Sequence, residues 1–288
     1  MRNAMRGARV LITGGAGFIG SNLARRLLAL GAEVTLVDSL IPEYGGNLRN
    51  LADIADRVRL NISDVRDAHS MQRLVHGQAV LFNLAGQTSH MDSMRDPATD
   101  LDINCRAQLS ILEACRHGNP GIKVVFASTR QMYGKPAYLP VDEKHPLRPV
   151  DVNGINKLAG EGYHLLYNDV YGVRACALRL TNTYGPGMRV KDARQTFEGV
   201  WIRRLLEGEP FEVWGGGQLR DFNFVDDCVD ALLLAATREE VNGRVFNLGA
   251  TPPVSLLELA KVLVDVNGSG RFTVQEFPAD RKKIDIGD

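Results

Sequence analysis

The chain has 288 residues, enough for one large α/β domain or two joined ones, and 44% of them are hydrophobic, ample for a core. Lys and Arg number 34 and Asp and Glu number 34, so the formal net charge is zero and nothing points to nucleic acid or an anionic membrane as partner. No apolar run suits a signal peptide or a membrane span, Cys105, Cys115, Cys176 and Cys228 form no C-x-x-C pair, and the histidines show no metal-ligand spacing; a cytoplasmic protein with buried, reduced thiols and no metal is expected.

In chain order, Val10-Leu11-Ile12 reads as a buried strand, and Ser21 to Leu28 has helical spacing. Between them stand Gly14, Gly15, Gly17 and Gly20, with Phe18 and Ile19 inside the run. Gly15, Gly17 and Gly20 fit G-x-G-x-x-G, in which the turn approaches a pyrophosphate and the helix N-terminus offers it N–H groups. A plain strand–turn–helix without a ligand is the alternative. Glu33 to Val37 reads as a second strand ending in Asp38. A carboxylate there binds both ribose hydroxyls of an adenosine and repels a 2′-phosphate, favouring NAD over NADP.

The alternation continues. A short helix is expected near Asn47 to Ala55, a brief strand at Val58 to Asn61, a helix from Asp67 to Val75 capped by Asp67, and a buried strand at Ala79 to Leu84. Gln87 to Ser93 reads as a loop. A long helix follows from Asp100 to His117, with Leu101, Ile103, Leu109, Ile111, Leu112 and Ala114 toward the sheet. Ile122 to Ala127 and Val173 to Leu180 are strands, and Val152 to Tyr171 is a long helix. This order predicts a doubly wound parallel sheet, with ligands at the carboxyl ends of its strands.

After Leu180 the composition turns to Gly, Pro and polar residues. A helix is expected at Phe197 to Glu207, strands at Phe211 to Trp214 and Val245 to Leu248, strand and helix over Phe222 to Thr237, and a helix at Ser255 to Val266 capped by Ser255. The expected division is a nucleotide-binding domain of residues 1–180 with about 221–250, and a smaller lobe of 181–220 and 251–288. The tail from Lys282 to Asp288 has no capping element, so that lobe is expected to be incomplete.

These residues resemble the extended short-chain dehydrogenase/reductase superfamily, specifically its NAD-dependent nucleotide-sugar epimerases and dehydratases. Thr13 to Gly20 is similar to the family's opening motif, Asp64-Val65-Arg66-Asp67 to its adenine-side segment, and Asn83-Leu84-Ala85-Gly86 to its His-Leu-Ala-Ala. Ala127-Ser128-Thr129 with Tyr133-Gly134 resembles the catalytic Ser/Thr strand end. Arg179, Asn182 and Tyr184-Gly185-Pro186 resemble the nucleotide-sugar loop, and Arg220-Asp221-Phe222 with Val225-Asp226-Asp227 a later signature. The resemblance runs from Arg9 to at least Ala250. It implies a Rossmann-type fold, NAD as cofactor and a nucleotide-diphosphate sugar as partner. It also implies a homodimer through helices at about 100–117 and 152–171.

The resemblance further implies a tyrosine base four residues before a lysine. Lys157 matches the lysine, but the tyrosine position holds Asn153, which cannot serve as a general base. Tyr133, Tyr184, His90 and Asp151 are candidate replacements by chemistry; His90 stands in the loop after the fourth strand, and histidine as a residue type is suited to proton exchange. A solvated loop histidine is the alternative. Another is a weakly active or inactive scaffold or sensor that binds NAD and a nucleotide sugar; a third makes Asn153 an introduced substitution.

Lys157 and Asn104 are expected beside the cofactor, with Gly14, Gly17, Phe18, Ile19, Gly20, Asp38, Asp64, Val65, Leu84, Ala85 and Gly86. Thr129 is expected to hydrogen-bond the reacting sugar oxygen, and Gln87, Asn182 and Arg220 to bind substrate. Arg130-Gln131 stands where 4,6-dehydratases carry Asp-Glu, which disfavours that reaction; Arg130 either meets a carboxylate or phosphate or is solvated.

Overall fold

The computed structural model describes residues 2–44, 46–194, 196–278 and 287; apart from Gly287, the tail from Lys282 lies outside the described residues. A short N-terminal helix α1 (Arg2–Met5) precedes β1 (Arg9–Thr13), α2 (Phe18–Ala29), β2 (Glu33–Asp38), β3 (Arg59–Ile62), α3 (Ala68–Leu74) and β4 (Val80–Asn83). Then come α4 (His90–Arg95), α5 (Pro97–Leu101), α6 (Ala107–Gly118), β5 (Lys123–Thr129), α7 (Val152–Tyr171) and β6 (Arg174–Leu180). The remainder holds β7 (Asn182–Tyr184), α8 (Phe197–Leu206), β8 (Phe211–Trp214), β9 (Leu219–Arg220), β10 (Phe222–Phe224), α9 (Val225–Thr237), β11 (Val245–Leu248), β12 (Val254–Ser255), α10 (Leu256–Asn267) and β13 (Phe272–Gln275).

Seven strands form one sheet in the order β11-β6-β5-β4-β1-β2-β3, with every pair parallel. Parallel strands are covered on both faces, which accounts for the uninterrupted apolar runs at Val10-Leu11-Ile12 and Val124-Val125-Phe126. Strand alternation then sorts the core. Val10, Ile12 and Phe82 join Leu23 and Leu27 of α2 and Val229 and Leu232 of α9. Leu11, Leu81 and Val124 join Met71 of α3, Ile111 and Leu112 of α6 and Tyr167 of α7. A third apolar cluster, separate from both, gathers Trp201 and Leu205 of α8, Phe211 and Val213 of β8, and Leu256 and Ala260 of α10.

The strand order reverses between β1 and β4, and a crevice opens there at their carboxyl ends. Thr13 ties the two ends together. Its hydroxyl donates to Asn83 Oδ1 at 2.9 Å and accepts from the N–H groups of Leu84 and Ala85, both at 3.1 Å.

Several local expectations change. The helix expected over Asn47 to Ala55 shrinks to a single tight turn, Leu48–Leu51, capped by Asn47. The stretch after β4, read as a loop, contains α4, which starts at His90 and is capped by the Ser89 hydroxyl. The long helix expected from Asp100 begins at Pro97, capped by Asp96, and passes through a wider π turn at Asp102–Arg106 before α6. That turn rotates the apolar stripe, so Leu101 is 37% exposed instead of facing the sheet. All four cysteines are free, but Cys105, in the π turn, is only half-buried.

Candidate active site

One cleft of about 310 Å³ runs across the switch point. Gly14, Gly17, Phe18, Ile19, Gly20, Asp38, Asp64, Val65, Leu84, Ala85 and Gly86 wall one end. His90, Thr129, Asn153, Lys157 and Asn182 wall the other.

The first end is shaped by backbone. Gly14 has φ +69°, and a Cβ there would meet Ala85 at 3.1 Å, so only glycine lets the turn lie against the end of β4. A Cβ on Gly20 would land on the carbonyl oxygen of Gly14, so the first turn of α2 sits directly on the glycine loop. The first N–H groups of α2 have no partners within the helix and stand at the cleft with its positive dipole end. Asp38, at the end of β2, is buried; its Oδ2 accepts from Ala16 N at 3.0 Å and its Oδ1 from Leu40 N at 2.9 Å. Burial raises the Asp38 pKa, and the two N–H groups work against it. A carboxylate offers about four acceptor positions, so two remain for a diol. Asp64 is held by both arms of Arg66, at 2.9 and 2.7 Å.

The second end is built from side chains held by other side chains. Asp100 is fully buried and accepts from three asparagine amides: Asn104 and Asn153 at Oδ2, both 3.1 Å, and Asn156 at Oδ1, 2.8 Å. Asn104 and Asn153 also donate to the carbonyl oxygen of Gln87, at 2.9 and 2.7 Å. The π turn brings Asn104 into this cluster from behind Gly86. Asn153 is therefore a buried member of a polar network. With its amide nitrogen so engaged, the carbonyl Oδ1 is the polar atom it has left for the cleft.

Lys157 is buried one turn further along α7, and its Nζ donates to Ala127 O at 2.8 Å. Burial lowers its pKa to about 8, opposed by Asp100 and Glu161. Thr129 ends β5 at the cleft; its Oγ1 accepts from Gln131 N at 3.2 Å, leaving the hydroxyl proton for another acceptor. His90 opens α4, with Nδ1 2.9 Å from Asp151 Oδ2 and 40% of its side chain exposed. Asp151 is buried, caps α7 through Gly154 N at 2.7 Å, and accepts from Gln131 Nε2 at 2.9 Å. Burial would raise the Asp151 pKa, but His90, Gly154 N–H and Gln131 outweigh it and hold the carboxyl below its usual range.

Six expected residues are not brought to the cleft wall. Tyr133 is buried with its hydroxyl donating to Asn247 Oδ1 and accepting from Arg179 Nη1, each at 2.6 Å, so it is not placed to act on a substrate. Arg179, expected in a nucleotide-sugar loop, is buried against Glu161 at 2.5 and 3.0 Å. Gln87 turns its side chain back onto the backbone of Ser89 and offers only its carbonyl to the network. Asn104 lies behind Gly86, and Arg220 donates to the carbonyls of Leu219 and Gly287 at 2.7 and 2.6 Å. Tyr184 is 39% exposed on β7 and faces Phe224.

Sequence reasoning missed Thr88, which lines the cleft, and Glu198, buried beside Asn182. It also missed the Asp100 cluster. The available signal was Asn153, Asn156 and Lys157 clustered at the start of α7, whose buried side continues with Glu161 and His164.

A doubly wound sheet with a glycine turn, a diol-ready carboxylate and a buried lysine at the switch point defines a dinucleotide-binding enzyme of the extended short-chain dehydrogenase/reductase class. The pattern of the NAD dependent epimerase/dehydratase family matches residues 10–249, and the chain belongs to that family. The UDP-glucose 4-epimerase of Mycolicibacterium smegmatis is 32% identical over 263 residues, covering 91% of this chain and 83% of the relative. The crystal structure of UDP-glucose 4-epimerase from Thermotoga maritima with UDP-glucose superposes with a TM-score of 0.88 at 30% identity, covering 97% of this chain and 89% of that one. The Thermus thermophilus UDP-glucose 4-epimerase complex with NAD superposes with a TM-score of 0.84 at 29% identity, covering 97% and 88%. The cofactor of this chain is NAD, and the cleft fits it: Asp38 has acceptor positions left for the ribose, and the Gly14 and Gly20 contacts bring the backbone to where a pyrophosphate can reach it.

Proposed function

We propose that the protein interconverts epimers of a nucleotide-diphosphate sugar, and that His90 exchanges the hydroxyl proton handled by tyrosine in the family pattern. The observation that carries this reading is His90 on the same cleft wall as Thr129 and Lys157, with Asp151 buried behind it, Oδ2 2.9 Å from His90 Nδ1. Nδ1 faces the Asp151 carboxylate in a charge contact without the alignment of a hydrogen bond, which leaves Nε2 as the atom that takes and returns a proton. Thr129 donates its hydroxyl to the reacting oxygen, Asn153 Oδ1 accepts from a neighbouring sugar hydroxyl, and Lys157 holds the cofactor ribose. Bound NAD supplies reversible hydride acceptance at the sugar carbon. The UDP-glucose epimerases among the relatives support a UDP-linked sugar as the first substrate to try.

The test is to offer UDP-glucose and UDP-galactose to the NAD-loaded protein and separate the epimers. Interconversion that His90→Gln abolishes supports the reading. Interconversion unchanged by that substitution refutes the assignment of His90. Binding of both sugars with no turnover favours the scaffold or sensor, the reading that the engaged amide nitrogen of Asn153 supports.

We also infer a homodimer. Ile155, Leu166 and Val170 form one exposed apolar stripe along α7, at 54%, 48% and 61% exposure. Light scattering that returns the mass of one chain contradicts it.

A further inference from the structure

Behind the cofactor end of the cleft lies a buried polar chain that the proton-exchange reading does not use. His164 of α7 is fully buried and stacks on Phe126 of β5, with ring centroids 4.2 Å apart. Its Nδ1 stands 2.7 Å from the carbonyl oxygen of Gly160, which only accepts, so Nδ1 carries the ring proton and Nε2 is left as an acceptor. Burial lowers the His164 pKa to about 4, so the ring is uncharged near neutral pH. Nε2 faces Asn83 Nδ2 at 3.3 Å. The same Nδ2 donates to Gln108 Oε1 at 2.7 Å, and Gln108 is held in turn by its own Nε2, which donates to Ile103 O at 2.9 Å. Asn83, at the end of β4, is fully buried as well. Apolar side chains would fill these places at less cost, since each buried polar group needs a partner.

We propose that His164 is a positioning residue for the cofactor: by accepting from Asn83 Nδ2 it fixes which way the Asn83 amide points, and through Thr13 it sets the Leu84–Ala85 wall of the cofactor end. The role concerns NAD alone and depends neither on His90 nor on the sugar. Both hydrogens of Asn83 Nδ2 meet acceptors, at Gln108 and at His164, so Oδ1 is the atom that faces Thr13. The Thr13 hydroxyl gives its proton to that oxygen and keeps its two lone pairs for the N–H groups of Leu84 and Ala85, both of which line the cleft. An Asn83 turned the other way would aim a third N–H at Thr13, which has no lone pair left for it. His164 also follows Lys157 by seven residues, two turns of the same helix, so the contact fastens the helix that carries Lys157 to the strand end that walls the cofactor.

The test reads the ring nitrogens directly. Wild-type protein carrying isotope-labelled histidine is compared by NMR with His164→Gln, which identifies the His164 signals among the six histidines. The expected wild-type ring is neutral, with its proton on Nδ1 and with Nε2 accepting a hydrogen bond. In Asn83→Asp an oxygen faces Nε2, and the expected change is a proton gained there. NAD titration is the second readout. His164→Phe keeps the stacking on Phe126 but accepts nothing, and NAD binding weakens about three- to tenfold, the scale of one hydrogen bond. His164→Gln, whose amide oxygen can stand where Nε2 does, stays within about twofold of wild type, a difference smaller than one hydrogen bond. A wild-type ring with its proton on Nε2 overturns the inference. A folded His164→Phe that binds NAD as the wild type does also overturns it, and a His164→Gln as weak as His164→Phe assigns the ring to packing alone. If His164→Phe does not fold, Asn83→Asp carries the test, and a His164 ring unchanged by that substitution refutes the contact.

Discussion

The Gly14–Gly20 end of the cleft is made of backbone, while the Thr129–Lys157 end is made of side chains that other side chains hold in place. At the first end, one substitution acts directly on the surface that meets the ligand, because Gly14 and Gly20 have no room for a Cβ. At the second, Asp100 binds Asn104, Asn153 and Asn156, and Asp151 binds His90 and Gln131, so the cleft wall depends on carboxylates set behind it. Backbone geometry repeats wherever the same turn recurs, whereas a buried polar cluster can exchange members if every donor still finds an acceptor. Asn153 therefore sits in a cluster that can take a different member, and the backbone end has no comparable freedom.

The largest expected effect breaks the backbone end. Gly20→Ala forces the first turn of α2 away from Gly14 O, and overpacking of ~1–3 kcal/mol translates into about ten- to hundredfold weaker NAD binding, read by cofactor titration. Unchanged NAD affinity would contradict the close approach. Next, Asn153→Ala leaves Asp100 with two amide donors instead of three, and loss of a hydrogen bond to a buried charge predicts destabilisation of ~1.5–3 kcal/mol in denaturant unfolding. Asn153→Tyr has no amide with which to bridge Asp100 and Gln87, so it is destabilised too and gains no activity; a gain would show that the position is a silenced base site. Asp38→Asn removes the charge that repels a 2′-phosphate, and the preference for NAD over NADP falls by about tenfold, on the scale of one charged hydrogen bond.

The smallest effect is a pH dependence. The Glu198 pKa is raised by burial to about 7, so the folded protein keeps a proton there that the unfolded chain has already released. Stability from this group is full below the unfolded value and is lost as pH rises through 7. Glu198→Gln cannot ionise, so its melting temperature relative to wild type increases between pH 5 and pH 8, by roughly a few degrees. A difference that does not vary with pH would mean that Glu198 is not held in this way.

The same contrast governs what was legible in the sequence. Helix α7 matches its expected ends because Asp151 caps it and Gly172 closes it in the left-handed conformation, both local signals. The strands and the glycine turn are local patterns too. Helix α4 was not legible, since six residues show too little periodicity, and the π turn at Asp102–Arg106 leaves no mark in a 3.6-residue repeat. Tyr133 and Arg179 carry side chains that suit a site, yet each is buried against a partner far away in sequence, at Asn247 and Glu161. His90 and Asp151 were each legible as chemistry; their contact, 61 residues apart in the chain, exists only in the fold.

The most direct test of the account is the single-turnover and steady-state rate of His90→Gln on a nucleotide sugar that the wild type converts, with NAD content measured in the same samples. The account predicts full NAD loading, sugar affinity within about threefold and a fall in kcat of about 10²–10⁴, the contribution of a positioned general base. A His90→Gln protein that turns over at the wild-type rate with NAD bound would contradict it and return the search for the base to the remaining groups on the cleft wall.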